Sequence, residues 1–533
     1  MVPPRGRSTP PAAGAGPELI HPVRQSTRLI FNVGVTYTRM LLTVGIGIVV
    51  TRLLLKALGD VDFGLLTALG ASGSLLWLLA DAMTVSAQRH MAYELGREDE
   101  AELRVVFNTT LSIYVVLGLV AVVAGLALMP VILGFLTIPD GRENAAMWVY
   151  LFTVLAIAIS TSKTPYDALL NARQRLDIRE GFEVADRLIS LAIVILITYA
   201  TWDRLVLYAG LLAGKATLNA AGRIGICLWL FPESRPAPRL FRGNRLRELS
   251  SFAGWSLVGM LQVRALSQGS IMAINVVHGP VVNAAFALSE RAMSYQRRLT
   301  MGISMASSPA VTTAEGRSDR QTVARLVAAT CRYATLAQML LAIPVLLDTK
   351  LLLTLWLDDY PPMTELFVQL AVAQAFGQLA FGFGQAIQAQ GDARAIALKV
   401  YLPRLVLFVL IAGLMIALDW PAWIMPAQQL AGLGVMSFFL IPLGFGRRIG
   451  LTYGSWVRGV VGPVLLAAAV AAGAAGSVRL LLPETYWRLA AVFAVHTLVL
   501  MTSAWFLVVT DEERRHFQRL AGNVLRKTGL GHR

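Results

Sequence analysis

The most informative side chains in this sequence are arginines that lie inside strongly apolar stretches. The stretch 280–308 carries Arg291, Arg297 and Arg298, and the apolar stretch before it carries Arg264. Ionisable groups at membrane depth are energetically costly and usually face a cavity. Because a guanidinium group binds phosphate oxygens through two parallel hydrogen bonds, these residues predict recognition of an anionic, phosphate-bearing molecule.

Four residues of the stretch 280–308 share one face of a helix. They are Arg291, Ser294, Tyr295 and Arg298, at positions i, i+3, i+4 and i+7. Lipid does not accept such a face, so we expect it to line an aqueous central cavity with a cationic wall.

We predict that the anion is bound by a set of basic residues, the binding set. This set consists of Arg264, Arg291 and Arg298, with Arg39 or Lys215 contributing. In the alternative interpretation, the arginines form ion pairs that only pack helices together. The intramembrane carboxylates available for such pairs are Asp81, Asp167 and Glu290.

A second polar face is predicted in the apolar stretch 364–389. It carries Gln374, Gln378, Gln385 and Gln388, at offsets 0, 4, 11 and 14. These amides would offer hydrogen bonds to sugar hydroxyls. The alternative is that they join neighbouring helices, as glutamine often does inside membranes.

The composition indicates what kind of protein must position these residues. Of 533 residues, 56% are hydrophobic and 15% are charged, whereas soluble domains average about 25% charged residues. This excludes a series of soluble domains and predicts a polytopic membrane protein. The net charge of +15 is explained by basic loops that orient the chain, not by nucleic-acid binding. The two cysteines and six histidines form no metal-site pattern, so no cofactor and no metal are expected.

Fourteen spans of about 20 apolar residues are predicted, which makes the fold all-α. They are 31–54, 63–87, 107–135, 146–170, 184–201, 206–229, 249–273, 280–308, 331–356, 364–389, 400–418, 422–444, 457–478 and 487–509. Arginines concentrate in alternate loops, which predicts cytoplasmic N- and C-termini. All loops are short, so none can hold a soluble catalytic domain.

An internal repeat relates the two halves of the chain. A shift of 220 residues places Gly59 on Gly279 and Gly96 on Gly316. The halves run parallel, which predicts two six-helix lobes around a central cavity plus two C-terminal helices. The predicted segments are a disordered cytoplasmic tail (1–28), an N-terminal lobe (29–230), a cytoplasmic linker (231–248), a C-terminal lobe (249–445), helices 13 and 14 (446–510) and a basic cytoplasmic tail (511–533).

Three short stretches carry a family resemblance. They are RLLLKALGDVDFGL at 52–65, AQRHMAYELG at 87–96 and VNAAFALSER at 282–291. Over about residues 30–445 the chain resembles the Wzx-like O-antigen flippases, which are polysaccharide or oligosaccharide flippases of the multidrug/oligosaccharidyl-lipid/polysaccharide (MOP) exporter superfamily. The first-loop signature of the lipid II flippases is not found here.

The resemblance implies a flippase, not an enzyme, in a bacterial cytoplasmic (inner) membrane. Its cargo would be a polyprenyl-diphosphate-linked oligosaccharide for O-antigen, lipopolysaccharide or exopolysaccharide biosynthesis, moved by alternating access. The expected partners are this lipid-linked cargo, the membrane and polysaccharide assembly proteins. Asp81, Asp167 and Glu290 are the candidates for coupling to a proton or Na⁺. The alternatives are an ion-coupled small-molecule exporter of the same superfamily and a membrane-embedded glycan polymerase or ligase.

Overall fold

Helices make up nearly all of the structure. The computed structural model describes residues 22–76, 78–245, 259–515 and 518–519, and no strand forms in these ranges. Within them, the side chains of residues 22–41 and 78–82, among others, are not described. The predicted all-α fold class is confirmed for the described ranges.

In the described ranges, the first half of the chain forms six α-helices. In chain order they are α1 (Pro22–Leu76), α2 (Leu78–Gly96), α3 (Glu100–Phe135), α4 (Glu143–Ala172), α5 (Leu176–Thr198) and α6 (Arg204–Leu230). Of these, α3, α4 and α6 coincide with predicted spans. Helix α1 covers the first predicted span and the beginning of the second, and it bends at Gly59, whose φ is 75°.

The described part of the linker after α6, residues 231–245, packs against the first half. It contains two short 3₁₀ turns, Pro232–Ser234 and Pro238–Leu240. The Ala237 N–H donates to Oδ1 of Asn108 in α3 at 2.5 Å. Arg245 forms salt bridges with Glu94 and Glu102 at 3.1 and 2.7 Å. The segment 231–245 is therefore held against α2 and α3.

The second half repeats the helical pattern and adds two helices. Its helices are α7 (Ser270–Gly316), α8 (Arg320–Leu347), α9 (Thr349–Leu357), α10 (Thr364–Ala389), α11 (Arg394–Leu418), α12 (Ile424–Ile449), α13 (Tyr453–Leu481) and α14 (Tyr486–Leu507). A π-helical turn at Ala265–Gly269 precedes α7. Eleven helices in the described ranges are long and apolar enough to cross a membrane; fourteen crossings remain a prediction.

The loops after α2 and α7 have similar backbone conformations at positions that the predicted 220-residue repeat relates. Glu98 and Ser318 have φ values of 58° and 57°. The next residue caps the following helix in both loops: Asp99 accepts from the Glu102 N–H, and Asp319 from the Thr322 N–H. Hydrogen bonds from Thr322 hold the pKa of Asp319 below its usual range.

By its internal contacts the chain divides into two compact units, residues 1–45 and residues 46–533. The boundary falls inside α1. Helix α1 begins at Pro22, inside the predicted tail 1–28, and residues 1–21 lie outside the described ranges. In the predicted tail 511–533, residues 511–515 and 518–519 are helical. The predicted segment boundaries and the two-lobe arrangement remain predictions.

A shared apolar core joins the two halves near the bends of α1 and α7. The second bend is at Gly279, with a φ of 77°. The core combines Leu54 and Phe63 of α1 with Leu288 of α7 and Leu353 of α9, all of which are 0% exposed. Between helices in a bilayer such contacts stabilise through van der Waals packing, because lipid tails are as apolar as these side chains. This core packs the two halves together near the bends.

Candidate substrate cavity

A cavity of about 1070 Å³ lies between α1, α2, the segment 259–269, α7, α10 and α11. It is lined by Thr67, Gly70, Ala71, Thr84, Gly259, Met260, Val263, Arg264, Ser267, Gln268, Ile271, Ala287, Glu290, Arg291, Ser294, Arg297, Gln388, Ile396 and Tyr401. Both halves of the chain contribute to this wall, as expected for a site between two repeats.

Arg291 is held where α1 and α7 meet. Its Nη1 donates to Thr51 Oγ1 at 2.8 Å. The guanidinium carbon lies 5.1 Å from the centre of the Phe63 ring, which is a cation–π contact. Thr51 and Phe63 are fully buried. Arg291 therefore has a fixed position at the cavity wall, with guanidinium N–H groups left for a ligand.

Two further arginines line the same cavity. Arg264 directly precedes the π-helical turn Ala265–Gly269, and Ser267 and Gln268 of that turn also line the wall. Arg297 is exposed, and its Nη2 lies 2.9 Å from the sulfur of Met293 one turn earlier. Arg297 was predicted as an intramembrane arginine but was left out of the binding set. Its position seven residues after Glu290 and three after Ser294, on one helix face with both, was the available signal.

The remaining members of the predicted cationic set lie elsewhere or are not described. Arg298 is not among the lining residues; its neighbouring charges are Arg187 and Glu183. Lys215 donates to Asp186 at 3.1 Å and to Ser190 at 2.9 Å, which joins α6 to α5. Arg39 is in α1, and its side chain lies outside the described residues.

The three predicted coupling carboxylates have different surroundings. Glu290 lines the cavity beside Arg291. Asp167 forms salt bridges with Lys163 and with Arg223, whose side chain is 2% exposed and also pairs with Glu183 at 2.8 Å. The side chain of Asp81 lies outside the described residues. Asp167 is therefore part of an ion-pair network around the buried Arg223, which is the arrangement expected for the alternative, packing role.

The glutamines of α10 do not form one continuous surface. Gln385 accepts from Ser307 at 2.8 Å and donates to Ser304 at 3.1 Å, so it ties α10 to α7. Gln374 is buried in a 3₁₀ segment, Gln374–Ala380, which also contains Gln378 and changes the helical register. Gln388 lines the cavity. The regular spacing in the sequence could not reveal this change of helix type.

The charge of the cavity is predominantly positive. Among the lining side chains that the structure describes, Arg264, Arg291 and Arg297 face one carboxylate, Glu290. In a partly desolvated space, such guanidinium groups favour an anion with several oxygen acceptors. No group of three potential metal ligands occurs in the described part of the chain. The arrangement is suited to binding, since the wall presents several hydrogen-bond donors.

The sequence matches no family model and no curated protein. Solved structures are similar in fold. A lipid II flippase, MurJ, in an inward closed conformation has a TM-score of 0.66 at 11% identity, covering 88% of this chain and 98% of its own. An inward-facing MATE family multidrug resistance transporter of the MOP superfamily has a TM-score of 0.59 at 13% identity, covering 78% and 94%.

A third similar structure is a MOP superfamily transporter from Pyrococcus furiosus, described as having a binding pocket of reverse polarity. Its TM-score is 0.55 at 14% identity, covering 78% of this chain and 95% of its own. The neighbours are flippases and transporters, which is consistent with the prediction that the chain is not an enzyme. The chain therefore has the fold that this lipid II flippase and these MOP superfamily transporters share.

Proposed function

We propose that the chain is a flippase for a polyprenyl-diphosphate-linked oligosaccharide in the bacterial cytoplasmic membrane, serving cell-surface polysaccharide assembly. The observation that carries this proposal is the charge of the cavity wall. Among its described lining residues, Arg264, Arg291 and Arg297 outnumber the one carboxylate, Glu290. A lipid diphosphate presents the multiple acceptor oxygens that guanidinium groups bind best. The similarity in fold to a lipid II flippase supports a lipid-linked cargo.

The cavity also has room and polar groups for a glycan. Its volume of about 1070 Å³ is at the upper end of the usual range for ligand pockets. Ser267, Gln268 and Gln388 on its wall are hydrogen-bonding partners for sugar hydroxyls. We assign the diphosphate to the arginines and the sugars to these side chains, while the polyprenyl chain stays in the bilayer.

Release on the opposite side requires the packed side of the cavity to open. Two contacts between the halves would separate: Arg291 with Thr51, and Asn283 with the Gly64 carbonyl at 2.9 Å. Rocking of the halves around the arginines then alternates access to the site.

The membrane potential favours outward movement of an anion. At about 2.3 kcal/mol per charge per 100 mV, two negative charges contribute roughly 4–5 kcal/mol. Glu290 is the coupling carboxylate with the best placement, because it lines the cavity beside Arg291. A proton or Na⁺ carried with the cargo would cancel part of the electrical contribution.

Lipid mass spectrometry on protein purified gently from its host membranes tests the cargo. We expect a co-purifying polyprenyl-diphosphate glycan, lost in the Arg264→Gln/Arg291→Gln/Arg297→Gln variant. Arg235→Gln is the matched control, because Arg235 is an exposed arginine in the linker, away from the cavity. Ordinary phospholipids alone, despite abundant precursor, would contradict the proposal and favour an ion-coupled small-molecule exporter.

A further inference from the structure

A second basic cleft lies between the first turns of α8 and the helical residues that follow α14. It has a volume of about 720 Å³. Its charged lining residues are Arg325, Arg332, Glu512, Glu513, Arg515 and Arg519. This cleft is separate from the cavity described above and has no part in the proposed transport cycle.

Two of the four arginines are neutralised by carboxylates. Arg325 pairs with Glu512 at 3.0 Å, and Arg332 pairs with Glu513 at 2.6 Å. Arg515 makes only a backbone hydrogen bond, from Nε to the Asp511 carbonyl at 3.2 Å. In the described part of the chain, neither Arg515 nor Arg519 has a carboxylate partner. The sequence from 520 to 533 adds no Asp or Glu, so the cleft keeps an excess positive charge.

The last turn of α14 places this charge next to membrane-facing apolar surface. Phe506 is 69% exposed at that end. Trp505 beside it lies 5.9 Å below the guanidinium of Arg514. Tryptophan is enriched where acyl chains meet headgroups. Arg515 and Arg519 follow Trp505 by 10 and 14 residues, after the break in the helix at 508–510, so we expect them at headgroup depth.

The α8 wall of the cleft also carries apolar side chains, Leu326, Ala328 and Ala329. Such a wall would suit the acyl chains of a lipid better than a free anion. On the other side of Arg325 and Arg332 a smaller cleft of about 460 Å³ adds Arg320 and no carboxylate among its lining residues in the described chain. The positive potential thus extends around this end of α8.

We propose that the cleft binds the phosphate headgroup of an anionic phospholipid, with Arg515 and Arg519 contacting the phosphate oxygens. Basic pockets between membrane helices favour such lipids, because each guanidinium attracts the phosphate charge and donates hydrogen bonds to it. The bound lipid links the segment after α14 to α8, and its acyl chains lie along the exposed apolar side of α14.

Native mass spectrometry of the full chain, titrated with phosphatidylglycerol, tests the site. In Arg515→Gln/Arg519→Gln we expect one fewer tightly bound phosphatidylglycerol and an affinity lower by at least about tenfold, because each lost charge-assisted hydrogen bond is worth a factor of this order. Arg515→Lys/Arg519→Lys keeps the charge and should retain most of the binding. The matched control is Arg235→Gln/Arg239→Gln, the same charge change on exposed linker arginines.

Competing ligands show whether the bound phosphate belongs to a phospholipid headgroup, to a soluble anion or to the cargo. Phosphatidylcholine should bind wild type and variant equally weakly. An equal loss of phosphatidylglycerol in the linker control would overturn the proposal, since it would show a general charge effect. Competition by millimolar inorganic phosphate would indicate a site for a soluble anion, and preferential binding of undecaprenyl diphosphate would indicate a cargo site; either result would also overturn it.

Discussion

Gly59 and Gly279, 220 positions apart in the sequence, have nearly the same backbone conformation. Their φ values are 75° and 77°, with ψ values of 173° and −178°. This region of the Ramachandran map is essentially restricted to glycine. Each residue bends a long helix, α1 in one half and α7 in the other, directly before a segment that contacts the other half.

Substitution of either bend glycine should therefore be costly. We expect Gly59→Ala and Gly279→Ala each to lower the free energy of unfolding by about 1–3 kcal/mol, because a Cβ is strained in this conformation. Thermal unfolding of the purified protein measures the effect. Gly214→Ala is the control, since Gly214 is helical, exposed and has no atom near the added Cβ; a similar loss there would contradict the explanation.

The contact between the halves at Gly64 can be tested by measuring whether an introduced cysteine nearby reacts with a maleimide. A Cβ on Gly64 would lie 1.8 Å from the Pro280 carbonyl oxygen, so Gly64→Ala cannot keep this closed arrangement. Ala284 is fully buried there, and both native cysteines are buried. We expect Ala284→Cys to resist a maleimide reagent in the otherwise native chain and to react in the Gly64→Ala background. Equal protection in both would show that the contact does not close the cavity.

A buried charge cluster attaches α14 to α8. Asp348 is 1% exposed and pairs with Arg488, 8% exposed, at 2.8 Å and with Arg479, 47% exposed, at 3.3 Å. Asp348→Asn should cost about 3 kcal/mol of stability, because it leaves the buried Arg488 charge without its close partner. Arg479→Gln removes the exposed partner and should cost less than about 1 kcal/mol. Comparable shifts in melting temperature would contradict this ranking.

Asp167 and Glu290 should respond to neutralisation in opposite ways. Asp167→Asn leaves Arg223 with Glu183 alone and should reduce stability by about 2 kcal/mol. Glu290→Gln removes a cavity carboxylate that forms no salt bridge in the described structure, so it should preserve the melting temperature and alter the ion dependence of transport. Parallel unfolding curves and transport assays in proton and Na⁺ gradients separate the two. Normal stability of Asp167→Asn with lost ion dependence would reverse the assignment.

Much of the fold follows from apolar stretches and glycine positions in the sequence. Helices α3, α4 and α6 coincide with predicted spans, because about 20 apolar residues are needed to cross a bilayer. Gly59 and Gly279 were predicted as repeat partners, although the bends that they form were not predicted. Such features depend on residues close together in the chain, which is why a single sequence reveals them.

The rotation of α7 could not be predicted in the same way. The sequence placed Tyr295 and Arg298 on the cavity face, whereas Glu290 and Arg297 line the cavity with Arg291. Tyr295 instead lines a small apolar pocket with Trp356. These contacts join segments that are far apart in the sequence. Helix periodicity alone assigns a residue to a helix face only to within about one position. Lys215 and Gln385 show the same limit, since their partners lie on other helices.

The most direct test of the central claim is translocation of a synthetic polyprenyl-diphosphate oligosaccharide in proteoliposomes. An inside-negative potential should accelerate outward movement by the full-length protein. We expect the Arg264→Gln/Arg291→Gln/Arg297→Gln variant to lose at least about tenfold in rate, because each lost charge-assisted contact is worth a factor of this order. Arg235→Gln should keep the native rate. Undiminished transport by the triple variant, with its fold intact, would contradict the proposal that these arginines bind the diphosphate.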